Sequence, residues 1–199
     1  MNPKTNKLLL FALHTLLFYS CKGQSTTPKE IYNPDFKWTI TIPQNFDQVS
    51  KEDWAKIQNK GEEAIEKTYD AEVNNQTEII FVFKSDGQNY FESNSQPFDT
   101  ATDGNYIESV KNVGGVLYKT FKAQFPDAKL DTAYVVEKID GFNFQVFKIK
   151  IHFANNVIFN AWMFSRVFGK REFSANIMYV DEAKGEVMLD AWRKSKFSK

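Results

Sequence analysis

Apolar and polar residues alternate over positions 36–42, where Phe36, Trp38, Ile40 and Ile42 are interleaved with Lys37, Thr39 and Thr41. A period of two puts the four apolar side chains on one face of a strand, and Pro43, which has no N–H to give a ladder, closes it. After Ser50 the period changes to three and four. Ser50 suits an N-cap and Asp53 the first turn, and Trp54, Ile57, Ala64, Ile65 and Tyr69 share a face within residues 51–72, which predicts an amphipathic helix. Glu78–Lys84 (EIIFVFK) is continuously apolar at its centre, the pattern of a strand covered on both faces.

Residues Ser85–Gly104 interrupt this patterning. They are polar, aperiodic and carry the turn signals Asp86-Gly87, Pro97 and Asp103-Gly104, which together predict a long loop. Structureless segments of that length are uncommon inside a compact domain and are often functional. Tyr106, Val110, Val113, Leu117, Phe121 and Phe125 then recur at steps of three and four, predicting a helix that stops before Pro126. Gly114-Gly115 in its interior costs about 1 kcal/mol per glycine relative to alanine, which points to close packing there.

Strands are predicted over residues 130–138, 142–153, 157–168 and 171–179, with turns at Asp140-Gly141 and Gly169-Lys170. Phe147, Ile149, Ile151 and Phe153 share one face, opposite Lys148, Lys150 and His152; Phe173, Ala175, Ile177 and Tyr179 alternate inward later on. Asp181 caps a last helix with a stripe of Val187, Met188, Ala191 and Trp192, and Phe197 closes the chain. This order predicts an α+β fold, an antiparallel β-sheet of about six strands packed with helices.

The N-terminal segment follows a different logic. Lys4 and Lys7 precede the apolar run Leu8–Tyr19, which is shorter than the roughly 20 residues a spanning helix needs and has the charged start and short apolar centre of a secretory signal. Cys21, the single cysteine, excludes an intrachain disulfide and a Cys-rich zinc site. Leu17-Phe18-Tyr19-Ser20-Cys21 resembles a bacterial lipobox. That resemblance implies removal of residues 1–20 as a lipoprotein signal peptide and diacylation of the Cys21 sulfur. Lys22, where inner-membrane retention signals have Asp, implies the outer membrane of a bacterial envelope. An ordinary secretory signal cleaved near Gly23 is the alternative. Residues 21–30 read as a flexible tether, rich in Gly, Ser, Thr and Pro, and residues 31–199 as one domain.

Charge narrows the range of partners. The chain has 25 basic and 25 acidic residues, and two of the lysines fall within residues 1–20, so the remainder is slightly acidic and nucleic acid is not expected as a partner. Candidate chemistry is sparse. His152 is the one histidine after the signal segment, no G-x-S-x-G elbow or phosphate-cradling glycine motif occurs, and no catalytic residue is assigned. His152 with scattered carboxylates is too little for zinc. Asp86, Glu92, Asp99 and Asp103 would suit calcium chemically but lack EF-hand spacing, and they read as turn and cap residues; no metal or cofactor is expected. Trp38, Trp54, Trp162 and Trp192 all fall at core positions, which leaves Tyr90, Phe91 and Phe98 of the predicted loop as the candidate partner-binding patch.

The segment Trp38-Thr39-Ile40-Thr41-Ile42-Pro43 followed by Asn45-Phe46, the long helix before a strand meander, and the closing helix with its Lys194-Ser195-Lys196-Phe197 tail resemble the Mog/PsbP-like family over residues 31–199. The resemblance implies an α/β/α sandwich and a binding role without a catalytic motif. The resulting expectation is a lipid-anchored cell-envelope protein with a non-enzymatic binding or assembly role, held to the membrane through Cys21 and meeting a protein partner in the envelope. An envelope hydrolase or glycan-acting enzyme using loop carboxylates is one alternative; an immunity-type inhibitor with a large exposed patch is another. Replacing Cys21 with alanine is expected to abolish fatty-acid labelling and to move the protein to the soluble fraction, since two acyl chains are what hold such a domain to a bilayer; labelling that survives Cys21→Ala overturns the lipoprotein assignment.

Overall fold

The computed structural model describes residues 29–72 and 75–198; the expected signal peptide, Cys21 and the expected tether up to residue 28 lie outside the described residues. The elements in chain order are β1 (Lys29–Asn33), β2 (Trp38–Ile42), β3 (Asp47–Gln48), α1 (Lys51–Tyr69), β4 (Glu78–Lys84), β5 (Tyr90–Pro97), α2 (Tyr106–Gln124), β6 (Lys129–Ile139), β7 (Phe142–His152), β8 (Ile158–Phe168), β9 (Arg171–Tyr179), α3 (Glu182–Lys194) and β10 (Lys196–Phe197). Lys29 and Glu30, which the sequence places in the tether, already pair with Ile42 and Thr41 in β1.

Two antiparallel sheets result. The larger has seven strands in the order β3-β4-β5-β9-β8-β7-β6, the smaller three in the order β1-β2-β10. Helices α1 and α2 cover one face of the large sheet; α3 and the small sheet cover the other. The expected α+β sandwich is therefore present, with four more strands than the six predicted: β1, β3 and β10 are short pieces without a pattern of their own, and β5 lies in the predicted loop. The caps behave as expected: Ser50 accepts from Asp53 N at 3.1 Å and Asp181 from Lys184 N at 3.2 Å. The β6–β7 hairpin turns on Asp140 and Gly141, both at positive φ (45° and 88°), as a two-residue type I′ turn requires.

The main core lies between the large sheet and α3. Trp192 is fully buried there and packs against Trp38, Phe91, Phe144, Phe164, Phe173 and Phe197 at ring-centroid distances of 5.1–6.3 Å. Of the predicted stripe of α3, Met188 and Trp192 are buried but Val187 is exposed. Three of the four tryptophans are buried as expected. Trp162 is half-buried, with Lys148 Nζ held 3.6 Å above its ring. The Lys148 face of β7 is not a free basic patch: Lys148 pairs with Glu137 at 2.8 Å and His152 Nε2 lies 2.8 Å from Asp131.

The predicted loop 85–104 is the largest correction. Its centre is β5, an interior strand bonded to β4 on one side and β9 on the other. Phe91 is fully buried and stacks on Phe83 at 4.8 Å, Tyr90 packs on Trp54, and Phe98 is buried against Tyr106. None of the three is available as a surface patch. The strand escapes sequence detection because the inward positions after Phe91 are Ser93 and Ser95, which are buried by hydrogen bonding: Ser93 Oγ donates to Phe81 O, and Ser95 Oγ accepts from Arg171. The carboxylates expected to crowd one loop are dispersed. Asp86 pairs with Lys184 at one end of β5 and Asp99 with Lys170 at the other.

The two glycines of α2 differ. A Cβ on Gly114 would lie 2.2 Å from the Tyr134 hydroxyl oxygen, whereas one on Gly115 would meet nothing within 4 Å. Close packing thus applies to Gly114 alone. Gly115→Ala is expected to stabilise the fold by about 0.5–1 kcal/mol through helix propensity, and Gly114→Ala to destabilise it by displacing Tyr134 from Lys111 O. Equilibrium urea unfolding checks this; equal effects of the two substitutions would refute the packing contact.

Candidate functional site

Strands β5 and β9 sort their side chains by parity. Phe91, Phe173, Ala175 and Ile177 point to the α3 core, so Glu92, Asn94 and Gln96 of β5 and Glu172, Ser174 and Asn176 of β9 point to the helix side. At the β6–β7–β8 end that side is closed by apolar packing of Leu117 and Phe121 from α2 over Phe147, Ile149 and Ile151. Over β5 and β9 it is not. A cleft of about 520 Å³ remains there, floored by the polar strand residues and walled by Ile65 of α1 and Val110 and Val113 of α2. Its volume lies in the range of small-molecule sites.

Helix α1 roofs the cleft loosely. Trp54 is its one buried side chain, docked on Val49 and Val82, whereas Ile57 and Tyr69 of the predicted stripe are exposed. Farther along, α1 leans on polar contacts. Gln58 Nε2 donates to Glu92 Oε1 at 3.3 Å, and Thr68 bonds only within the helix.

Two carboxylates stand on this face, Glu172 lining the cleft and Glu92 beyond its lining. Glu92 is buried, and its neighbours are donors: Gln58, Asn94 (3.2 Å) and Asn176 (3.5 Å) each direct an amide N–H at it. The Trp54 indole N–H, which closes no hydrogen bond, also favours the ionised form. Burial outweighs these donors and pushes the Glu92 carboxyl above the usual carboxylate range. Glu172 stands at the other end. Gln96 Nε2 donates to its Oε2 at 2.6 Å, and the Tyr106 hydroxyl donates to its Oε1 at 3.0 Å while accepting from Ser165 at 2.7 Å. Burial, and then the adjacent Glu172 charge, raise the Tyr106 hydroxyl far above the normal phenol range.

The sequence pattern reads Glu92 as a turn or cap carboxylate and Tyr106 as a helix-stripe residue, and marks no site role for Asn94, Gln96, Glu172, Ser174 or Asn176. A signal was present: Glu92-x-Asn94-x-Gln96 and Glu172-x-Ser174-x-Asn176 are both polar at period two. What it lacked was the pairing that lays one beside the other, Gln96 opposite Glu172 and Glu92 opposite Asn176. Among the described residues no group of His, Cys, Asp and Glu is arranged to hold a metal ion.

No protein-family model matches the chain, and no curated protein matches it in sequence. Its fold is similar to the solution structure of cyanobacterial PsbP (CyanoP) from Synechocystis sp. PCC 6803, with a TM-score of 0.53 and 10% sequence identity over 91% of this chain and 99% of that one. A crystal structure from Bacteroides thetaiotaomicron VPI-5482 aligns with a TM-score of 0.46 and 8% identity, covering 86% of this chain and 49% of that one. The domain thus has a PsbP-like fold.

The raised Glu92 pKa makes stability depend on pH in a defined direction. The folded state holds this proton more tightly than the unfolded chain does, so stability falls as pH rises from the unfolded value near 4.5 through the higher folded value. Glu92→Gln is therefore expected to raise Tm relative to the parent at pH 7.5, with the difference shrinking toward pH 4. A difference independent of pH would show that Glu92 ionises freely.

Proposed function

We propose that the chain is a lipid-anchored envelope protein whose PsbP-like domain binds a small solute in the cleft over β5 and β9 without transforming it. The single observation that carries this reading is the cleft floor: two interior strands commit five adjacent helix-facing positions, Asn94, Gln96, Glu172, Ser174 and Asn176, to polar side chains where apolar ones would have closed the layer. A sheet face under a helix layer is ordinarily where apolar area is buried, at roughly 25 cal/mol per Å². Leaving it polar forgoes that stabilisation.

The carboxylate geometry favours binding over hydrolysis. Glu92 and Glu172 stand four strand positions apart on neighbouring strands, about 13 Å along the strand direction. Hydrolytic carboxyl pairs on a glycosidic bond stand about 5–9.5 Å apart. Of the carboxylates in residues 85–104, Asp86 and Asp99 flank opposite ends of β5, and the Lys184 ammonium holds Asp86 well below the usual carboxylate range. Support for the anchor comes from the lipobox-like run ending at Cys21, which would keep the domain at the membrane surface.

The test is a solute panel spanning neutral, cationic and anionic compounds, scanned against the full chain in detergent by amide chemical-shift mapping. Shifts are expected to cluster on residues lining the cleft and to disappear in Val113→Trp, which fills the mouth from an exposed helix position. A panel in which no compound perturbs those residues overturns the reading.

A further inference from the structure

The floor of the cleft presents amide carbonyl oxygens beside a carboxylate. Asn94 and Asn176 each give an amide N–H to Glu92, and Gln96 gives one to Glu172. An amide whose nitrogen is turned to a carboxylate has its carbonyl oxygen turned away from it, next to its second N–H. The Tyr106 proton is likewise engaged by Glu172. The floor thus offers carbonyl acceptors near the Glu172 carboxylate, with the remaining amide N–H groups and the Ser174 hydroxyl as its donors.

Charge runs in the same sense. Among the described residues Glu172 is the one charged residue lining the cleft, and no Lys, Arg or His lines it. Its direct partners, Gln96 and Tyr106, are neutral dipoles. Arg171, next in sequence, is turned to the other face of the sheet and is occupied by Glu78 and Ser95 at 2.6 and 2.7 Å. An anionic solute would meet the Glu172 carboxylate with no cationic side chain among the described lining residues to offset the repulsion. A neutral polyol would satisfy the acceptors but leave the Glu172 charge unmatched. An ammonium satisfies both, since it carries up to three donors, no acceptor and one positive charge.

We infer that the cleft takes an organic ammonium ligand, with its cationic nitrogen at Glu172 and its alkyl part along the apolar wall of Val110 and Val113. This rests on the cleft being a ligand site. It adds the chemical class, with the wall matching a methylene chain and the floor matching N–H donors.

Isothermal titration of the full chain in detergent with three compounds of equal length, cadaverine, 1,5-pentanediol and glutarate, tests the class. Cadaverine is expected to bind at least tenfold more tightly than pentanediol, with glutarate giving no binding heat. Glu172→Gln is expected to weaken cadaverine at least tenfold. Ser174→Lys, which places an ammonium on the floor between Asn94 and Ser165, is expected to abolish its binding and serves if Glu172→Gln fails to fold. Binding of pentanediol or glutarate as tight as that of cadaverine, lost in Val113→Trp, overturns the ammonium assignment and leaves the cleft reading standing. No binding of any of the three, together with an unresponsive solute panel, removes both. Unchanged cadaverine affinity in both floor variants also overturns the assignment.

Discussion

Trp192 is the contact on which the remaining layers rely. It lies on α3, yet it packs against side chains from β2, β5, β7, β8, β9 and β10, so one indole ties the closing helix and the small sheet to the large one. Deleting a buried aromatic of this size typically costs 3–5 kcal/mol, a large share of a domain's net stability. The rings around it meet edge-on or tilted more often than flat, with the closest stack between Phe83 and Phe91. This packing also fixes which parity of β5 and β9 faces inward.

That choice has a consequence on the opposite face. Once Phe91, Phe173, Ala175 and Ile177 are committed to the α3 core, the intervening residues must face α1 and α2, because successive side chains of a strand point to opposite sides. Over β7 and β8 those residues are apolar and α2 seals the layer. Over β5 and β9 they are Glu, Asn, Gln and Ser, and the layer stays open. The strongly packed face therefore supports a weakly packed one. The two carboxylates of the weak face are satisfied by its own donors, which is what makes their burial tolerable: Glu92 is surrounded by amide donors and Glu172 by Gln96 and Tyr106. Helix α1, held by Trp54 at one end and by polar contacts beyond it, is the least firmly attached wall.

Much of this was legible in the sequence. The strand at β2, the long helix at α2, the β6–β7 hairpin with its Asp140-Gly141 turn and the inward alternation of β9 all follow from local periodicity and turn chemistry, and the structure places them within a residue or two of expectation. Strand β5 did not follow, and for an instructive reason. Its cleft-facing positions are polar because they line the cleft, and its inward serines are buried by hydrogen bonds instead of apolar area. The features that hide it as a strand are the ones that make it the floor of the site. Exposure of α1 has the same origin: a helix over a polar floor has little to bury, so its apolar stripe beyond Trp54 stays partly in solvent.

The amino-acid sequence by itself determined the fold class, the caps and turns, the inward faces of most strands and the lipobox-like run at Cys21, because each depends on residues within a few positions of one another. Only the tertiary structure decided that Phe91 and Phe98 are buried and Tyr90 half-buried against Trp54, that Gly114 and not Gly115 is the point of close approach, and that Glu92 and Glu172 stand on one face of the sheet. Those facts depend on which strands lie side by side. Strands β5 and β9 are separated by more than seventy residues in the chain and are neighbours in the sheet. Local periodicity places each residue on a face of its own strand; only the register between distant strands says which faces meet.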